Sequence, residues 1–131
     1  LIARMLKDKG VFEFVNAAQL LKKSEVKAEF CLLGFLDVQN PAAISTEQMK
    51  EWTDQGFVKY LGVSDDVRQH IASADCIVLP SYREGTPRTL LEAAAMGKPI
   101  ITTNAVKQLA LNIGSEVTAM IKTNEILLTE C

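Results

Sequence analysis

Four charged side chains form two pairs whose spacing could serve chemistry. Arg4 and Lys9 lie five residues apart at the end of a short apolar run. Two cations at that spacing in a loop can bind a diphosphate group. Glu84 and Glu92 lie eight residues apart, on either side of a predicted helix start. Because a carboxylate only accepts hydrogen bonds, one of these glutamates could hold the two hydroxyl groups of a ribose.

The second pair surrounds the N-terminus of a predicted helix. Thr86 can cap this helix by accepting a hydrogen bond from a backbone N–H of the first turn. Pro87 suits the first helical position, where the missing N–H has no effect. The amides of Arg88, Thr89 and Leu90 would then have no partner within the helix and would lie at the positive end of its dipole. Such a terminus attracts phosphate.

Both pairs also have an ordinary interpretation. From spacing alone, Glu84 can equally be a solvated loop charge and Glu92 a surface residue of the helix. For Arg4 and Lys9, the residues alone favour a solvated, lysine-rich turn. The only histidine, His70, lies on the apolar face of a predicted helix, which favours a packed or half-exposed side chain over a catalytic one.

The elements that must position these residues alternate between strand and helix. Ser45 or Thr46, and later Ser64, are predicted to cap two of the helices. Trp52 is expected to pack in the core or on the surface and not to stack on a base. Short apolar strands between helices are typical of a parallel sheet covered on both faces. The predicted fold is therefore α/β, a Rossmann-like doubly wound parallel sheet. The predicted strands are residues 1–4, 28–33, 57–61, 76–79, 99–103 and 118–121.

A strand order of 3-2-1-4-5-6 would bring the two charged pairs together. In that order the first and fourth strands are neighbours at the switch point, where ligands bind outside the carboxyl ends of the strands. Arg4 and Lys9 follow the first strand, and residues 84–92 follow the fourth. The two pairs would then face one crevice.

The composition excludes several classes of protein. The 131 residues are 48% apolar, which suits one domain with its own core. The net charge is −2, from 14 basic and 16 acidic residues, so nucleic acid is not an expected partner. No segment resembles a signal peptide, and no apolar run reaches the ~20 residues that span a bilayer. Cys31, Cys76 and Cys131 lack metal-ligand spacing, and reduced thiols in a cytoplasmic protein are expected.

The stretch PSYREGTPRTLLEAAAMGKPIITT resembles the signature of the retaining, GT-B-fold glycosyltransferases of family 4. Their pattern is PS..EG.P...LEA.A.G.P.I, with seven residues between its two glutamates. The segment RMLKDKG similarly resembles the family's GR....KG, with Ala3 in place of glycine. Beyond this pattern, the sequence of the stretch resembles that of bacterial enzymes that add sugars to lipid-linked glycans for capsule, lipopolysaccharide or protein glycosylation. The matching positions are Pro80, Ser81, Glu84, Gly85, Pro87, Leu91, Glu92, Ala93, Ala95, Gly97, Pro99 and Ile100.

This resemblance implies a donor site for a nucleotide-diphosphate sugar, with UDP as the expected nucleotide. Glu84 would be the catalytic residue near the donor sugar, and Glu92 would hold the ribose. GT-B enzymes generally need no metal for the chemistry, so no metal and no other cofactor is expected. The loop at the donor would be Gly85, Thr86 and Pro87, and the diphosphate would be bound by Arg4, Lys9, Arg88, Thr89 and Leu90.

The resemblance also implies a longer chain. A whole family member has two Rossmann-like domains, and residues 1–131 resemble the C-terminal, donor-binding one. The sequence begins without Met in a predicted buried strand, which indicates a fragment. The N-terminal domain would bind a glycan or lipid-linked acceptor, at the inner face of the membrane in the full-length enzyme. The single domain would be inactive alone. Residues 107–131 depart from the family pattern.

Two other functions stay open at this point. A nucleotide-sugar epimerase of the related GT-B type would use the same crevice for another reaction, with acids from both domains. A non-catalytic Rossmann-like binding module would explain the atypical tail and would bind no nucleotide. The wording of the EGTP and LEA segments favours the glycosyltransferase.

Overall fold

The structure, a computed structural model, describes residues 1–36, 38–83 and 87–103, together with the backbone of residues 117–122 and 125–130. Helices and strands alternate over most of this range. The helices are η1 (Lys7–Lys9, a 3-10 helix), α1 (Val11–Lys23), α2 (Thr46–Asp54), α3 (Arg68–Ser73) and α4 (Arg88–Ala95). The strands are β1 (Cys31–Leu32), β2 (Lys59–Tyr60), β3 (Ile77–Leu79), β4 (Ile100–Thr102), β5 (Val117–Lys122) and β6 (Glu125–Glu130).

The strands before residue 103 pair in parallel, as predicted. β1 pairs with β2, and β3 pairs with β4. Residues 1–3 lie along the other edge of β1, because the Ala3 amide donates to the Leu33 carbonyl at 3.0 Å and the Leu33 amide donates to the Leu1 carbonyl at 3.0 Å. The described part therefore has the predicted α/β, Rossmann-like fold, with the order β2, β1, residues 1–3 on one side.

The N-terminal amino group shows where residues 1–3 lie relative to the other parallel pair. It donates a hydrogen bond to the Cys31 carbonyl at 2.8 Å. Burial lowers the pKa of this amino group to about 6, and Cys31 in β1 and Cys76, which immediately precedes β3, are both near enough to act in the opposite direction. These contacts agree with the predicted order, in which the first strand lies between the second and the fourth.

The last two strands correct the prediction for the tail. The strand predicted at residues 118–121 is present as β5, but it pairs antiparallel with β6, from Val117↔Glu130 to Lys122↔Glu125. Only two residues separate β5 from β6 in the sequence. A connection this short can join antiparallel strands, whereas parallel strands need a crossover of about a dozen residues.

The core confirms the packing predicted for Trp52 and His70. The Trp52 side chain is buried, and its ring packs against the Phe12 ring in a T-shaped arrangement with a centroid distance of 5.2 Å. His70 is half-buried on α3. The helix α1 contributes Val11, Phe14, Val15 and Ala18 to the same core.

The two predicted helix caps have different outcomes. Ser45 caps α2, since its hydroxyl accepts from the Gln48 amide at 3.2 Å. The prediction that Ser64 caps the next helix is wrong. The Ser64 hydroxyl accepts from the Asp66 amide at 3.3 Å, which closes a turn before the helix, and α3 begins only at Arg68.

None of the helices in the described residues has the length and apolar character that a membrane crossing requires.

Candidate functional site

The loop that carries Lys9 and the segment that follows β3 lie side by side. The Tyr82 amide donates to the Asp8 carbonyl at 2.9 Å, and the Ser81 hydroxyl donates to the same carbonyl at 3.1 Å. Both segments follow the carboxyl ends of their strands, one after residues 1–3 and one after β3. The loop that carries Lys9 therefore lies against the beginning of the second motif, at Ser81 and Tyr82.

A glycine allows this close approach. Gly10 has φ +75°, and a Cβ atom at this position would lie 2.2 Å from the Pro80 carbonyl oxygen. Only glycine adopts that backbone conformation without strain and leaves room for the neighbouring chain. The glycine that follows Lys9 thus brings the two loops together.

The cations of the first loop lie where the sequence predicts. Arg4 is exposed, and its carbonyl accepts from the Leu6 amide at 2.8 Å. Lys9 is half-buried at the end of η1, and its amide donates to the Leu6 carbonyl at 3.1 Å. Both residues therefore belong to one compact turn directly after the first strand.

The start of α4 differs from the prediction. Pro87 has ψ 117° and is the N-cap, so it is not the first helical residue, and α4 begins at Arg88. The Leu90 amide donates to the Pro87 carbonyl at 3.0 Å, so the prediction that it lacks an intrahelical partner is wrong. Among the described residues, the amides of Arg88 and Thr89 meet no acceptor. The bond from Leu90 to Pro87 spans three residues, as in a 3-10 helix, so the first turn of α4 is tighter than a regular α-helical turn.

An open groove of about 480 Å³ runs between the start of α4 and residues 65–68, where α3 begins. Three residues predicted for the donor site line it, and four residues that the prediction did not include line its other wall. The Leu90 side chain is instead buried in the core. The lining residues are Asp65, Asp66, Val67, Arg68, Arg88, Thr89 and Glu92.

Glu92 faces this groove between two guanidinium groups. Its side chain is 31% exposed, and its Oε1 lies 3.6 Å from Arg88 Nε one turn earlier on the same helix. Arg68, on the opposite wall, is close enough for Glu92 to raise its pKa, although less strongly than Asp66 does. A carboxylate placed in this way can accept hydrogen bonds from a ligand in the groove.

Asp66 fixes the opposite wall. Its carboxylate accepts from Arg68 Nε at 2.8 Å, from a terminal guanidinium nitrogen at 2.9 Å and from the Arg68 amide at 3.0 Å. The side-chain hydrogen bonds from Arg68, followed by the backbone one, lower the pKa of Asp66 to about 2. The order Asp-Asp-Val-Arg at the start of a helix is the sequence signal that could have suggested this bidentate pair.

Some predicted site residues lie outside the described residues, namely Glu84, Gly85 and Thr86. Arg4 and Lys9 are described but do not line the groove at α4. In the part of the chain that the structure describes, no three His, Cys, Asp or Glu side chains are grouped as metal ligands are. The metal-free reaction stays a prediction.

Comparison with known proteins shows the family. The family model described as glycosyl transferases group 1 matches residues 1–126. This chain belongs to the family of group 1 glycosyl transferases. The predicted resemblance to a family 4-like GT-B glycosyltransferase is thereby confirmed at family level, and the match favours a transferase over an epimerase.

Relatives of this group 1 glycosyltransferase act in the assembly of glycans, according to their names. An N,N'-diacetylbacillosaminyl-diphospho-undecaprenol alpha-1,3-N-acetylgalactosaminyltransferase of Campylobacter jejuni is 42% identical over 104 residues, 79% of this chain and 26% of the relative. A teichuronic acid biosynthesis glycosyltransferase of Bacillus subtilis, described as putative, is 35% identical over 79% of this chain and 23% of its own length. A capsular polysaccharide biosynthesis glycosyltransferase of Staphylococcus aureus is 25% identical over 79% of this chain and 27% of its own length. The chain spans about a quarter of the length of these relatives.

Proposed function

We propose that residues 1–131 form the C-terminal, donor-binding domain of a retaining glycosyltransferase that uses a UDP-sugar. The observation that carries this proposal is the contact between the two loops, in which Ser81 and Tyr82 both donate to the Asp8 carbonyl. This contact brings the loop of Arg4 and Lys9 beside the chain that leads to Glu84 and α4. Two cations and a helix start at one switch point suit a nucleoside diphosphate.

In this proposal, the cations of the first loop stabilise the leaving group. As the bond between the sugar and the diphosphate breaks, negative charge develops on the phosphate oxygen. Arg4 and Lys9 neutralise that charge, as preorganised cations do in transition states. The amides of Arg88 and Thr89 would assist at the positive end of α4, whereas the Leu90 amide already donates to Pro87.

The groove at α4 is proposed to hold the nucleoside. Its volume of about 480 Å³ falls within the usual range for small-molecule sites, about 300 to 1,000 Å³. Glu92 would accept hydrogen bonds from the two ribose hydroxyls. Arg88 is not a strong competitor for Glu92, because its side chain is 92% exposed and solvent-exposed ion pairs contribute little. The ribose can therefore displace it.

Glu84 is proposed to act beside the donor sugar, with Gly85, Thr86 and Pro87 forming the loop there. These roles rest on the match of this stretch to the family motif. The chemistry is proposed to need no metal and no further cofactor, because the protein cations take over the charge of the diphosphate.

The acceptor is proposed to be a glycan or a lipid-linked glycan in surface polysaccharide biosynthesis. The names of the relatives support this class, since one acts on a diphospho-undecaprenol substrate and another serves capsular polysaccharide biosynthesis. We propose that an N-terminal domain of the full-length chain binds the acceptor. The full-length enzyme would be cytoplasmic and would work at the inner face of the membrane.

Titration of the full-length protein with UDP tests the donor site. Glu92→Ala should weaken UDP binding about 10- to 100-fold, since hydrogen bonds to a charged group contribute about 1.5–3 kcal/mol. Arg4→Ala should also weaken it, and more so at low salt. The control is Glu47→Ala, which removes an exposed glutamate from α2 and should leave the affinity unchanged. A folded protein that binds no nucleoside diphosphate would favour the non-catalytic binding module.

The same preparation can test whether the single domain is active. We propose that residues 1–131 alone bind the donor but do not transfer the sugar, because the acceptor site belongs to the other domain. Transfer to a lipid-linked acceptor should be measurable with the full-length protein and absent with residues 1–131. Turnover by residues 1–131 alone would contradict this proposal.

A further inference from the structure

Tyr82 makes a long-range contact next to the donor site that the proposed function does not use. Its hydroxyl donates to Glu13 Oε1 at 2.5 Å, across 69 residues of sequence. Glu13 lies in the first turn of α1, four residues after Lys9. Tyr82 lies two residues before Glu84. The bond therefore joins the two segments that carry the proposed diphosphate ligand and the proposed catalytic residue.

The contact is directional and owes little to burial of the ring. Tyr82 is 60% exposed, so its ring adds little to the hydrophobic core. The hydrogen bond to the Glu13 carboxylate raises the pKa of Tyr82. A tyrosine hydroxyl is protonated at neutral pH even without this shift, so it is a donor there. A hydrogen bond to an ionised acceptor is stronger than one between neutral groups.

The neighbouring residues are already held by their own bonds. The Ser81 hydroxyl and the Tyr82 amide both donate to the Asp8 carbonyl, and the Thr103 hydroxyl donates to the Ser81 carbonyl at 3.1 Å. These bonds fix the backbone up to Tyr82. The Ser81 hydroxyl also lies 3.4 Å from the Arg83 carbonyl, within hydrogen-bond distance. The Tyr82 side chain adds a bond from this segment to another element, the helix α1. A surface loop without such an anchor would sample many conformations.

We propose that Tyr82 is a positioning residue, whose hydrogen bond to Glu13 holds the segment after β3 against α1 during the transfer step. This inference rests on the proposed function, because it assigns the bond to the step that needs Glu84. The bond acts on the transfer step and not on nucleotide binding. UDP would contact Arg4, Lys9, the start of α4 and Glu92, and none of these takes part in the bond.

The test compares two substitutions in the full-length enzyme. Tyr82→Phe removes only the hydroxyl, and Glu13→Ala removes its acceptor. Each should lower kcat about 5- to 10-fold, the loss expected when one exposed, charge-assisted hydrogen bond that positions the transfer step is removed. UDP affinity should change by less than about 2-fold, since a loss confined to kcat marks an interaction absent from ground-state binding. Glu13→Gln keeps an acceptor oxygen and should recover much of the activity.

The double variant separates positioning from independent effects. Tyr82→Phe with Glu13→Ala should be no slower than either single variant, because both remove the same bond. Glu47→Ala serves as the control on another helix and should keep the wild-type kcat. Thermal unfolding midpoints of all variants should stay near that of the wild type, so a loss of rate cannot come from unfolding.

Two results would overturn the inference while leaving the proposed function intact. One is a Tyr82→Phe enzyme with wild-type kcat, and the other is additive losses in the double variant. Equal losses of UDP affinity and of kcat would also overturn it, since they would make Tyr82 part of the nucleotide site. If the wild-type enzyme bound no nucleoside diphosphate, the proposed function would fail first, and the inference with it.

Discussion

The proposed donor site has two parts that are held in different ways, the crevice between the two loops and the groove beside α4. At the crevice, the loops of residues 7–10 and 80–82 are held by backbone hydrogen bonds and by the contact of Gly10 with Pro80. At the groove beside α4, the side chains of Arg68 and Arg88 are held by ion pairs in solvent, with 73% and 92% of each side chain exposed. Packed backbone has one arrangement, whereas exposed ion pairs exchange partners easily. The comparison suggests a rigid diphosphate end and an adaptable nucleoside end.

The largest loss of stability is expected from a substitution at Gly10, where the two loops of the crevice are in contact. Gly10→Ala would place a Cβ atom 2.2 Å from the Pro80 carbonyl oxygen, at φ +75°. The left-handed conformation and the backbone displacement together should lower the free energy of unfolding by about 3 kcal/mol or more. Denaturant unfolding at equilibrium measures this change.

Gly97→Ala is the matched control for this prediction. Gly97 has a similar φ of +68°, but nothing lies within 4 Å of a Cβ atom there. Its substitution should cost only the conformational penalty, about 1–2 kcal/mol. If both variants lost the same stability, the contact between Gly10 and Pro80 would contribute nothing to stability. The rigidity of the crevice would then need another explanation.

The same comparison explains how much the sequence could predict. The crevice was predictable because apolar runs mark the strands, and the carboxyl ends of neighbouring parallel strands meet at one edge. The caps were less predictable. Ser64 and Ser45 both precede a helix, yet only Ser45 caps one. A hydroxyl can bond either to a helix amide or within a turn, and local sequence does not decide between them.

The contacts that complete the site could not be predicted from sequence. The bond of Tyr82 to Glu13 joins residues 69 positions apart, and their approach depends on the packing of two strands. The second wall of the groove also arises from tertiary structure, since it needs the residues before α3 to face α4. The tail was mispredicted because an apolar run indicates a strand but not the direction of its partner, and here the partner is the antiparallel β6.

A smaller effect on stability is expected at the groove beside α4, where protonation of Asp66 at low pH weakens its pair with Arg68. The hydrogen bonds from Arg68 lower the pKa of Asp66 from 3.8 to about 2 in the folded protein. Between these values the unfolded chain binds more protons, so stability rises with pH. The contribution of Asp66 is complete above about pH 4, and it is lost as the pH falls to about 2.

Asp66→Asn makes this effect measurable, because it removes the charge and keeps one acceptor oxygen. The wild type should be more stable than the variant at pH 7, and the difference should shrink as the pH falls from about 4 to about 2. In an Arg68→Ala background, the stability change caused by Asp66→Asn should depend much less on pH. The Arg68 side chain, which is the largest cause of the lowered Asp66 pKa, is then absent. At neutral pH, Asp66→Asn should also weaken UDP binding less than Glu92→Ala does, because Asp66 acts on the ligand only through Arg68. A stability difference that stays constant with pH would contradict this prediction. It would show that the ion pair of Asp66 with Arg68 does not stabilise the fold, so that packing alone would hold this side of the groove.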